Sequence, residues 1–304
     1  MTTRAADATT SFLPVSVHLA ALGTWSSLPE VNTPFDLSLE PVSSTWREDL
    51  ISQGWDNGIF VKSTLKRLRA QPHVIFAELS FQPYLDVSLP LFPSVQLRWA
   101  RAAAKLFKHL VSQGAEALYF DGALKAFTPE MIEEVNPKDS ATLFHLFVEI
   151  WGDQGRVATE GMSIFGLPEV VVTGLDPQSP EAQATVFSAA AQMICDDLRL
   201  PNQEYFRASE SFPWCSAQWV RDPIEASKVL GESPTDHSLP DAISTTSEVN
   251  SEVNSEVNSE VNSEEAEDQP LFSSCGICHL TPVDRDLGES LSRAWLSHLD
   301  DSNM

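Results

Sequence analysis

Between Ser247 and Asn262 the tetrapeptide Ser-Glu-Val-Asn is repeated four times without interruption. A period of four matches neither the helical repeat of about 3.6 residues, nor the strand period of about 2, nor solenoid units of roughly 20–50 residues. Each copy sets one valine against a glutamate and two small polar residues. No apolar stripe forms that would offset the entropy lost on ordering. The repeat therefore predicts a boundary in the chain. Residues 12–230 read as a globular body, 231–270 as a disordered acidic linker, and 271–304 as a short tail, with 1–11 as a loose leader.

The chain has 304 residues, 42% of them hydrophobic, with 16 Phe and 8 Trp. The body is therefore long enough to bury a substantial core. The net charge is −24, and from Gly231 onward 16 acidic residues face only Arg285 and Arg293. Such a field repels phosphate backbones and anionic lipid, which argues against nucleic-acid or membrane-surface binding unless a local basic patch exists. The nearest patch in sequence is Lys62, Lys66, Arg67 and Arg69, which reads as the solvated face of a short helix. A basic protein is the partner such a surface suits. Residues 1–11 carry no apolar run, and no stretch reaches 18 apolar residues, so neither a secretory signal nor a membrane span is expected. The 4 cysteines then read as reduced thiols of a cytoplasmic protein.

Periodicity sets out the body. Strands are expected at residues 12–22, 74–80, 115–120 and 169–173, and most strongly at 143–151, where apolar residues alternate. A helix over 94–113 places Val95, Trp99, Ala102, Ala103, Leu106, Phe107 and Leu110 on one face, with Arg98, Arg101, Lys105 and Lys108 off it. A second helix opens at Ser179-Pro180-Glu181 and buries Val186, Phe187, Ala190, Ile194 and Leu198. Ser44 starts a short helix ended by Gly54, and Thr128 caps another. Together these predict an α+β fold: a mostly antiparallel sheet with two long amphipathic helices packed on one face. The alternative is two small α+β halves dividing near 121–140.

Three segments resemble a known family. Ala115-Glu-Ala-Leu-Tyr-Phe, the expected strand at 143–150, and Thr159-Glu-Gly-Met-Ser-Ile-Phe-Gly-Leu-Pro-Glu-Val are together similar to the bacterial domain of unknown function 4261. Met162 stands where leucine is usual. The resemblance is most specific over 143–172, extends over 70–220 and leaves out the tail. It implies a cytoplasmic bacterial α+β domain and carries no catalytic residues.

Candidate chemistry is sparse. Gly161 and Gly166 suit turns needing positive φ, and with Glu169 at a solvated strand start they form a possible binding turn. Cys275-Gly-Ile-Cys278-His279 has the spacing of a haem attachment site, but also that of a partial zinc knuckle that His298 would complete. The pair could also be redox-active, or incidental to an unstructured tail. Leu287, Leu291, Trp295 and Leu299 recur every four residues and suggest a short helix that docks on a partner or on the body. His145 and Glu149, four residues apart on one strand, would stand about 13 Å apart, too far for a shared proton. These readings favour a non-enzymatic protein-binding or adaptor module without a cofactor. A hydrolase or transferase using His18, His145 and Glu149, and a metal or redox role for the tail, are the alternatives.

Overall fold

The computed structural model describes residues 15–81, 93–153, 155–195, 205–220, 223–230 and 276–301. The leader, the whole linker with its repeat, Cys275 and Leu198 lie outside these residues. In chain order the elements are β1 (Val15–Gly23), β2 (Asp36–Pro41), α1 (Ser44–Asp56), α2 (Lys62–Arg69), β3 (His73–Phe81), α3 (Pro93–Ser112) and β4 (Ala115–Phe120). Then come β5 (Lys125–Phe127), α4 (Pro129–Glu134), α5 (Ser140–Phe147), β6 (Glu149–Asp153), β7 (Arg156–Glu160), β8 (Glu169–Thr173) and α6 (Pro180–Cys195). The last are β9 (Tyr205–Phe206), β10 (Cys215–Val220), α7 (Pro223–Leu230), β11 (Ile277–Pro282) and α8 (Arg285–Asp301).

The architecture is mixed α+β, with two sheets rather than one. The first has the order β2-β3-β1-β4-β5, and each of its pairings is antiparallel. The second has the order β6-β7-β8-β11-β10-β9, with β8 and β11 parallel and the other pairs antiparallel. One apolar core joins them. Val17, Leu19 and Ala21 enter it from β1, Val170 and Val172 from β8, Leu106 and Phe107 from α3, and Val186 and Ala190 from α6. A smaller cluster of Leu22, Leu50, Phe60 and Leu68 packs α1 and α2 on the other face of the first sheet. On the second sheet, Ala226 of α7 packs with Ala158, Val171 and Ile277.

Three expectations are corrected here. Residues 143–151 are not one strand: α5 precedes the five-residue β6. Leu143, Phe144, Leu146 and Phe147 are all buried, a helical spacing that an almost wholly apolar segment hides within its alternation. Asp139 decides for helix locally, because its carboxylate accepts from Ala141 N–H at 3.2 Å as an N-cap. Gly54 does not end α1 but lies inside it; the Phe60 ring is what requires glycine there, since a Cβ would meet it at 2.2 Å. The third correction concerns the tail. Residues 277–282 are no tethered appendage but an interior strand, hydrogen-bonded to β8 on one side and β10 on the other.

Candidate functional site

The free margins of the two sheets meet at a cleft. β5 closes one end of the first sheet and β6 one end of the second, each paired with a single strand. A cavity of about 760 Å³ lies there, lined by Leu124, Lys125, Met131, Glu134, Glu149 and Trp151 among others. The chain enters it through a tight turn at Asp121–Ala123, after which Leu124 takes φ 45°, ψ 38°. A leucine in the left-handed region costs about 1–2 kcal/mol. Such strain gathers at ligand sites more often than elsewhere. Leu124 is also 47% exposed and Met131 40%, so two large apolar side chains border the opening.

Lys125 ties the cleft together. Its ammonium donates to His145 O and Val148 O, both at 3.1 Å, and pairs with Glu149 Oε2 at 3.0 Å. Three acceptors match its three donors, leaving no lone pair for nucleophilic work. Glu149 stands directly opposite Glu160 in the β6–β7 register. Burial raises the Glu160 carboxyl, and the charges of Glu149 and Asp121 raise it further. Of the carboxylates that line the cleft, Glu149 is paired with Lys125, while Glu134 has no ion-pair partner among the described residues. His145 lines the same cavity, its ring 5.9 Å from that of Phe187. Phe187, expected in the core, is 40% exposed. His18 is elsewhere, exposed on β1 opposite Glu78. The structure therefore brings together His145 and Glu149 but not His18.

The turn around Gly161 is already filled by the chain itself. Glu169 is 3% exposed, not solvated as expected. Its Oε1 accepts from Gly161 N–H at 3.1 Å and Met162 N–H at 2.9 Å. Its Oε2 accepts from Thr159 Oγ1 at 2.7 Å, and that hydroxyl oxygen accepts from Val170 N–H at 2.8 Å. Burial pushes the carboxyl up to about 8, against the pull of Thr159 and the two amides. Gly161 must be glycine: φ is 104°, and a Cβ would stand 2.0 Å from Phe147 O. Gly166, φ 67°, closes the next turn by donating to Ser163 O at 2.8 Å. Gly161 and Glu169 thus meet as a buried staple rather than an open binding turn.

Of the cysteine motif, Cys275 lies outside the described residues, and the structure sets Cys278 and His279 on opposite faces of β11. Cys278 faces the main core, fully buried, its thiol pushed up to about 12 by desolvation. His279 is on the opposite face of the strand, its Nε2 2.8 Å from Thr173 Oγ1, and burial lowers it. Neighbouring strand residues point apart, so Cys278 and His279 cannot share one ion. Among the described residues no three His, Cys, Asp or Glu are grouped to hold a metal. Within α8, Leu287 is 39% exposed and Leu291 half-buried, while the side chains of Trp295, His298 and Leu299 lie outside the described residues. The helix docks on the body through Ser292 Oγ, which accepts from Trp214 Nε1 at 3.1 Å. Among the described residues no helix is long and apolar enough to cross a membrane.

No protein-family profile, curated protein or solved structure matches this chain. Sequence reasoning missed Leu124, Lys125, Met131 and Trp151 as cleft residues. Nothing in the composition marks Leu124 as left-handed.

Proposed function

We propose that this chain is a non-enzymatic protein-binding module whose cleft between β5 and β6 takes an extended, lysine- or arginine-bearing segment of a partner. One observation carries the reading: two sheet margins converge on an opening bordered by exposed Leu124 and Met131. Sheet margins accept added strands through their backbone groups, while apolar pockets select alternate side chains. Lys125 and Glu149 neutralise one another, so Glu134 and the net charge of −24 favour a basic segment. Exposed Leu287 on α8 offers a second contact.

Selection from a library of random dodecapeptides tests this. Enriched peptides should alternate apolar with Lys or Arg. The double variant Leu124→Glu, Met131→Glu should weaken them about tenfold or more, which is ~1.4 kcal/mol, without lowering the melting temperature. No enrichment, or binding indifferent to both substitutions, would sink the proposal.

A further inference from the structure

The exposed side of α3 carries a cationic stripe that the acidic composition conceals. Arg98, Arg101 and Lys105 follow one another at intervals of three and four, so they share one helix face. With Asn32 and Thr33, which belong to the segment between β1 and β2, they line a separate cavity of about 370 Å³. Among the described residues none of the three is paired with a carboxylate, although the chain has 43 acidic residues. Arg98 lies over the Trp99 ring at 4.4 Å and is held by it rather than by an anion. The Arg101 Nε is shut off from water and has no hydrogen-bond partner. A buried donor left in that state costs about 1–3 kcal/mol. Thr33 Oγ1 accepts from Phe35 N–H at 3.3 Å, which leaves its own O–H to donate outward.

We infer that this groove binds a small molecule bearing two or more phosphates. Guanidinium forks suit phosphate oxygens, and a lysine adds a point charge. Arg98 and Lys105 stand seven steps apart along the helix, about 10 Å at ~1.5 Å per step, more than a single phosphate can bridge. A concave site near 370 Å³ is the size of a small-ligand pocket rather than of a polymer track. On so acidic a chain, three uncompensated cations in one concavity focus attraction on a compact polyanion. The site is distinct from the β5–β6 cleft.

Titration calorimetry with inorganic tripolyphosphate on the full chain tests the inference, with orthophosphate as the single-phosphate control. Saturable binding of one tripolyphosphate per chain is expected, tighter than orthophosphate and weakening as salt is raised. Arg101→Gln should weaken it about tenfold. The exposed Lys105→Gln should weaken it by a smaller factor and leaves no question of folding. Absence of saturable binding, or binding untouched by both variants, overturns the inference. So does tighter binding of a single-stranded oligonucleotide than of tripolyphosphate. Binding that appears only when residues 247–262 are deleted would assign the groove to the chain's own carboxylates and overturn it as well.

Discussion

The two sheets are closed by different means. The first draws every strand from residues 15–127, its central β1 paired antiparallel to β3 and β4. The second is assembled from 149–220 and completed by 277–282, which enters between β8 and β10. Without β11 the second sheet would be two separate pieces, β6-β7-β8 and β10-β9. The buried staple lies at that junction: Glu169, which fastens the Gly161 turn with its side chain, also donates its backbone N–H to Gly276 O at 3.1 Å. A sheet closed locally forms from short loops, whereas one closed by a distant segment must meet a larger loop-closure entropy. The second sheet should therefore be the more easily broken of the two, and broken at β11.

The largest effect should come from Leu280→Pro. Leu280 is fully buried on an interior strand, and proline there removes a ladder N–H as well as core contact. A loss of roughly 3 kcal/mol or more is expected in chemical denaturation. Ser38→Pro on β2, which pairs with a single strand, should cost markedly less. Equal losses would erase the distinction between the sheets.

A smaller effect concerns Glu169. Its folded-state carboxyl titrates near 8, above the usual 4.5. The native state therefore holds a proton that the unfolded chain releases. The stabilisation is fully present below about pH 4.5 and is lost as pH rises toward 8, a change of a few kcal/mol. Glu169→Gln keeps an acceptor for the two amides and removes the titration, so its stability should vary less with pH across that window. Parallel pH profiles of variant and wild type would show that the staple does not contribute in this way.

Legibility followed the same division. β1, β3, β4 and α3 each present a clean period to a core on a known side, and their positions could be read from spacing. α5 could not: Leu143, Phe144, Leu146 and Phe147 are buried in a run so apolar that strand and helix spacings coincide, and the deciding Asp139 cap is a single residue. β11 was obscured differently. Ile277, Cys278 and Leu280 are buried on both faces of the strand, but His279 interrupts the apolar run and the spacing of Cys275 and Cys278 reads as chemistry instead. Its partners lie on distant segments, and local pattern carries no record of them. Glu169 was misplaced because a carboxylate is ordinarily solvated, and the donors that allow its burial exist only once the Gly161 turn has formed. The cleft itself was invisible, since it is made by the meeting of two sheet margins.

Native-state hydrogen exchange on the full chain addresses the central claim, that the segment after the repeat is a structural strand. The amides of Cys278 and Leu280 should exchange as slowly as those of Val170 and Val172 in β8, and only through global unfolding. Rapid exchange at residues 277–282 alongside protected β8 amides would contradict it.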